Sequence, residues 1–197
     1  MQPSEFVRKW NEYTTRTGNS EEMRLVPFVS FDPTISRETQ QFLAEAGLPA
    51  ECSFGFNLDF SANLKRVSEV YGWDEKLEPK AYARLHRYIY LGFDGGNSPI
   101  CLDSKDGKSV VSLHYEAFAD PNLAGGFVNS GVAQLAECIL IFEEMLEVFR
   151  RDNGEETELY RSKVPQLLTE KAMRGMHAAD PKIFIKGGYW PRTLLYI

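Results

Sequence analysis

Residues 98–115 read SPICLDSKDGKSVVSLHY, and this stretch decides the fold. Two β-rich runs, Ser98 to Asp103 and Lys108 to Tyr115, flank Ser104-Lys105-Asp106-Gly107. An Asp-Gly between such runs signals a hairpin, because glycine takes the positive φ that a tight reversal needs. Upstream, Tyr82 to Leu91 is rich in Tyr, Ile and Leu and ends at Gly92-Phe93-Asp94-Gly95-Gly96-Asn97, which predicts a strand followed by a turn. Farther upstream Phe54, Phe56, Leu58 and Phe60 alternate with Gly55, Asn57, Asp59 and Ser61, the period of a half-buried strand. The centre of the chain therefore reads as an antiparallel meander from Ser53 to Tyr115.

Helical patterns bracket the meander. Phe6, Val7, Trp10 and Tyr13 sit at helical spacing in Pro3 to Tyr13, before Thr17-Gly18-Asn19-Ser20 breaks the pattern; this helix is expected to pack as a lid. Ile35 to Ala46 is a second helix, capped by Ser36 and stopped by Gly47 and Pro49. Beyond Asp120-Pro121-Asn122 and Gly125-Gly126, a long helix runs from Gly131 to Arg150, with Asn129 or Ser130 as its cap. Val132, Leu135, Ile139, Phe142, Leu146 and Phe149 form one apolar stripe on it, and Cys138, Ile141, Met145 and Val148 form a second. Two stripes need more cover than a sheet alone provides, so the C-terminal segment or a second subunit in a homodimer is expected to supply the rest. Asp152 to Glu158 reads as a polar hinge. Leu159 to Met176 is helical in composition, with Pro165 suited to a first turn, and Ile183 to Ile185 and Tyr189 to Ile197 bracket Gly187-Gly188 as a terminal hairpin. The fold class is α+β: a single domain over 1–197, its antiparallel β-meander packed against helices, with 151–197 a helical and strand extension.

Composition narrows the function. The chain has 197 residues, 43% hydrophobic, enough for one core, and 22 Lys+Arg against 28 Asp+Glu give a net charge of −6. That balance lacks the basic field a direct nucleic-acid ligand requires. No apolar run approaches a membrane span, and no basic segment followed by an apolar one opens the chain, so a cytoplasmic location is expected. Cys52, Cys101 and Cys138 are odd in number and widely spaced, which argues against disulfides and a Cys-based zinc site.

Catalytic patterns are sparse. His114-Tyr115-Glu116 matches half of a zinc deaminase motif, but the P-C-x-x-C half is absent. Cys101 and His114 lie on the two arms of the hairpin; a loop of two or four residues sets Cys101 opposite Ser112 or Val110, too far from His114 to pair. Neither Gly92-Phe93-Asp94-Gly95-Gly96 nor Gly125-Gly126 has a nucleotide-binding context, and Asp103 and Asp106 read as turn residues rather than an acid–base pair. No catalytic residue, metal or cofactor is expected. The charge distribution does stand out. Between Glu137 and Glu158 eight acidic residues face only Arg150 and Arg151, so this segment holds the whole net charge. Glu143, Glu144 and Glu147 are expected on the helix arc opposite the stripes, with Glu155 and Glu156 extending the same sign as a surface for a basic protein partner.

Gly47-Leu48-Pro49, Leu91-Gly92-Phe93, Ile100-Cys101-Leu102-Asp103, the Gly107 turn, Val110-Val111 and Phe127-Val128-Asn129-Ser130 before a long helix together resemble the SUKH superfamily, most of all its fourth branch. The resemblance covers Leu25 to Arg150 and departs at Gly131, where the family carries a second small hydroxyl residue. It implies an α+β domain in a non-enzymatic bacterial immunity protein that neutralises a polymorphic toxin, often a nuclease or deaminase. The superfamily also contains regulatory adaptors, among them a fungal regulator of cell-wall synthesis. An adaptor without a toxin is therefore the alternative, and a small enzyme using His114 and Glu116 a more distant one.

Overall fold

The computed structural model describes residues 1–52, 63–114, 126–154, 164–186 and 188–195. A short ladder of β1 (Leu25–Val26) and β2 (Leu48–Pro49) stands beside a five-stranded sheet of β3 (Lys65–Arg66), β4 (Tyr88–Phe93), β5 (Pro99–Asp103), β6 (Val110–Ser112) and β7 (Gly126–Asn129). The strands of the larger sheet neighbour one another in chain order and are all antiparallel, so the meander is present. The strand expected around Phe54 to Phe60 lies outside the described residues.

The hairpin is wider than Asp-Gly alone suggests. Asp103 N–H donates to Ser109 O at 2.9 Å, and Leu102 faces Val110, so residues 104–108 form the connection. Asp106 winds it, its Oδ1 accepting from Lys108 N–H at 3.0 Å and Ser109 N–H at 2.9 Å. With this odd-numbered loop Cys101 faces Val111, not Ser112 or Val110. Leu113 lies beside Pro99, and His114 lies beyond it. Gly107 has φ +68°, and a Cβ there would run into the Thr34 carbonyl, because the turn docks on the start of the helix that Ser36 caps: Ser36 N–H donates to Gly107 O at 2.9 Å. Gly47, at φ +71°, is held in the same way against the Val26 carbonyl.

Both sheet faces are covered, which is why these strands read as continuous apolar runs. Ile89, Leu91, Ile100, Leu102, Val110 and Val128 face the main core. Tyr90, Cys101 and Leu113 face a smaller cluster with Val67 of α3 (Val67–Val70) and Leu85 of α4 (Pro79–His86). The expected strand from Tyr82 begins only after α4. Pro79 opens that helix, and Tyr82 and His86, one turn apart, stack at 4.9 Å.

The main core is helical. α1 (Pro3–Thr17) is no lid: Phe6 and Trp10 are fully buried, and Trp10 Nε1–H donates to Met23 O at 2.6 Å. In α2 (Arg37–Glu45), Ser36 Oγ caps Thr39 N–H at 3.2 Å as expected. α5 (Val132–Asn153) packs against α1, α2, β7 and α6 (Gln166–Ala179), so the C-terminal segment does cover it. α6 starts directly after Pro165. The expected terminal hairpin is instead α7 (Tyr189–Leu195), where Pro191 falls in the first turn and its missing N–H costs no helical bond.

Asn129 and Ser130 do not cap α5; Gly131 holds that position without a side-chain bond. Their side chains turn to Asp180, which is 1% exposed. Asp180 accepts from Ser130 N–H at 2.6 Å, Ser130 Oγ–H at 2.9 Å, Asn129 Nδ2–H at 3.2 Å and Lys182 N–H at 3.2 Å. Asn129 Oδ1 in turn accepts from Trp190 Nε1–H at 3.0 Å. This buried network joins β7 to the ends of α6 and α7.

Candidate functional site

The site that the acidic segment pointed to is the exposed edge of α5. At about 100° per residue the buried positions of α5 span an arc of roughly 220°, from Met145 through Phe142 and Leu146 to Leu140. Outside that arc remains a strip of roughly 140°, along which lie Ala133, Glu137, Ile141, Glu144, Val148 and Arg151, with Gln134 and Asp152 at its edge. α1 stands on one side of the strip and α6 on the other.

On the α1 side, Arg16 reaches Glu147 with two bonds, Nη2–H to Oε2 at 2.7 Å and Nε–H to Oε1 at 3.3 Å. Deeper in, Tyr13 O–H donates to Glu143 Oε2 at 3.1 Å. Burial and the Glu143 carboxyl together push the Tyr13 phenol well above its ordinary value. On the α6 side, Gly175 lets the two helices meet: a Cβ there would stand 3.4 Å from the Ile141 methyl groups. Toward the start of α6 the helices enclose a groove of about 460 Å³, with Ile141, Met145 and Val148 on its floor, Leu168, Lys171 and Ala172 on one wall and Arg16 on the other.

Of the five carboxylates expected to form a docking surface, Glu144 is exposed and lines the groove. Glu147 lines it as well, but is held by Arg16. Glu143 does not lie on the exposed arc: it is fully buried. It stands only about 40° from Ile139 around the helix, and α1 covers that side. Glu155 and Glu156 lie outside the described residues. Glu137 is 3.6 Å from the N-terminal ammonium group. The groove residues that sequence reasoning missed are Arg16, Leu168, Lys171 and Gly175. Only Gly175, a glycine inside a helix, carried a signal of close packing.

The other candidates are placed plainly. His114 is exposed, and Glu116 lies outside the described residues. Among the described residues no three His, Cys, Asp or Glu side chains gather as metal ligands. Burial raises all three thiols, Cys138 to about 12, which removes the thiolate that nucleophilic chemistry needs. Burial opposes ionisation of Asp103, but its hydrogen bonds from Arg87 and Lys105 N–H, with the Arg87 charge, hold its carboxyl below the ordinary range. Asp106 is likewise lowered by its bonds to Ser109 and Lys108 against the effect of burial. Both serve the turn. Gly126 belongs to β7, and Gly125 lies outside the described residues. No helix among the described residues is long and apolar enough to cross a membrane.

No curated protein and no solved structure matches the chain. The SUKH-4 immunity protein family matches residues 22–196. That match runs past Arg150 through the C-terminal segment, which the structure ties to β7 by way of Asp180 and Trp190. The same network gives the Phe127-Val128-Asn129-Ser130 motif its physical role. With both the α+β architecture and nearly the whole length matched, the chain belongs to the SUKH-4 immunity protein family.

Proposed function

We propose that this chain is a non-enzymatic immunity protein that neutralises a cognate polymorphic toxin by binding it. The toxin is one with a basic surface for nucleic acid, of the nuclease or deaminase class. Family membership supports toxin neutralisation, and the acidic segment Glu137 to Glu158 is the observation that carries the finer reading. With Glu143 buried, Glu137, Glu144, Glu147, Asp152, Glu155, Glu156 and Glu158 remain in that segment against Arg150 and Arg151. An enzyme that holds a polyanion needs a cationic surface, and an acidic inhibitor steers toward that surface and excludes the substrate. Glu144, with Glu155 and Glu156, supplies the charge in this reading. The protein acts in the cytoplasm, where such a toxin meets nucleic acid.

The test is co-expression with the C-terminal domain of a large secreted protein encoded beside this chain's gene. Rescue of growth, together with a complex whose association slows as salt rises, is the expected result. Rescue with no salt dependence refutes the basic-toxin reading while leaving immunity intact. A chain with no such neighbouring gene and no rescue is an adaptor instead.

A further inference from the structure

We infer that the groove between α1, α5 and α6 is where the toxin is held, and that its occupant is a helical segment with an apolar stripe flanked by one basic and one acidic side chain. The inference rests on the toxin-binding reading above and gives it a place in the fold.

The groove offers apolar surface that the fold leaves unused. Both faces of the sheet are covered, one by the main core and the other by the cluster around Val67 and Leu85. The floor of the groove, by contrast, leaves Ile141 and Val148 only half-buried between two helices. These two positions are seven residues apart on one helix, and Met145 lies between them. A second helix laid along that strip finds anchor positions at its own spacing, as in helix-in-groove recognition.

The groove's charges are unevenly satisfied. Of the charged residues lining the groove, Arg16 is paired with Glu147 at 2.7 Å, and Arg151 lies 3.6 Å from Asp152. Glu144 on α5 and Lys171 on α6 are in no ion pair or hydrogen bond among the described residues. The fold thus leaves one anion and one cation at the rim of an apolar floor. A segment that brings Lys or Arg to Glu144 and Asp or Glu to Lys171 completes both while its apolar side chains bury Ile141 and Val148. A wholly basic segment would leave Lys171 opposed by like charge.

The test uses the purified full chain and the C-terminal toxin domain encoded beside its gene, with affinity measured by calorimetry and folding by thermal melts. Val148→Arg is expected to weaken binding by 100-fold or more. Glu144→Lys and Lys171→Glu are each expected to weaken it about tenfold without moving the melting temperature. Leu77→Arg, at a site 79% exposed in the segment between α3 and α4, leaves affinity unchanged. Should Val148→Arg fail to fold, the two rim reversals decide. Wild-type binding with undiminished affinity in both reversals overturns the groove but leaves toxin neutralisation standing. No binding by the wild-type chain removes both.

Discussion

Replacing Asp180 by alanine is the sharpest test of why the last third of the chain belongs to this fold. Its carboxylate is 1% exposed and accepts four hydrogen bonds, two of them from backbone N–H groups of Ser130 and Lys182. Alanine leaves those donors without their acceptor. Asn129 keeps a 3.4 Å contact with Cys138 Sγ, Lys182 is exposed and Ser130 is partly exposed, so the penalty falls mainly on Ser130 N–H and the Asn129 amide. At about 1–3 kcal/mol for each buried donor left unmade, the expected loss is about 2–4 kcal/mol. A domain of this size holds only about 5–15 kcal/mol in all, so the variant should be severely destabilised. Urea denaturation measures the loss from the midpoint and slope, and hydrogen exchange shows whether the amides of α6 and α7 lose protection first. Asp180→Asn keeps one acceptor oxygen and should lose less. A loss below about 1 kcal/mol in Asp180→Ala would refute the network as the device that secures the C-terminal helices.

Three other outcomes are expected. Gly107→Ala puts a Cβ at positive φ against the Thr34 carbonyl and should cost about 2–4 kcal/mol in chemical denaturation; a neutral result would mean that the turn does not dock on α2. The Asp103 carboxyl is held below its ordinary value of 3.8, so its bond with Arg87 stabilises the fold above that pH and is lost as pH falls through the lowered value. Arg87→Met should therefore melt lower than the wild type at pH 7, with the gap narrowing as pH falls below the ordinary carboxylate value of 3.8; a gap that shows no narrowing down to the acid limit of folding refutes a contribution from the ionised pair. Cys101 and Cys138, fully buried, should react with a thiol reagent only on the timescale of unfolding, and rapid labelling of either in the native protein would contradict their placement.

Much of the architecture was legible because local chemistry and tertiary structure agree there. The Asp106-Gly107 hairpin, the Ser36 cap and the helix stop at Gly47 each follow from what one or two residues permit in their own backbone. The errors fall where tertiary structure decides. Tyr82 to Leu91 looked uniformly β-rich, yet its first half is helical, because Pro79 starts a helix whose Tyr82 and His86 stack one turn apart. Asn129 and Ser130 sit where caps belong, and their side chains do bond backbone and carboxylate groups, but the acceptor lies some 50 residues downstream at Asp180. A terminal hairpin would confine Pro191 to a strand edge, whereas the first turn of a helix tolerates it equally well. Only for Asn129 and Ser130 does the deciding partner lie far along the chain; at Tyr82 and Pro191 the local chemistry suits either element, and tertiary packing chooses.

The two apolar stripes of α5 leave Glu143 on the wet side only as long as Ala136 and Leu140 stand outside them. At about 100° per residue those two lie within roughly 60° of Glu143, and all three are buried, Glu143 against Tyr13 of α1. The arc available to a partner is correspondingly narrower than eight carboxylates suggest. It is not a uniformly negative face but a strip with an apolar floor, where Arg16 already neutralises Glu147 and Glu144 stands free of any ion pair among the described residues. If binding at this strip ran on net charge alone, Glu144→Gln and Glu147→Gln would slow association alike. With Arg16 holding Glu147 at 20% side-chain exposure, Glu144→Gln should slow association with the toxin domain at low salt, and Glu147→Gln should chiefly release Arg16. Equal effects of the two substitutions in stopped-flow measurements would return the acidic segment to a long-range role and leave the groove without a part in steering.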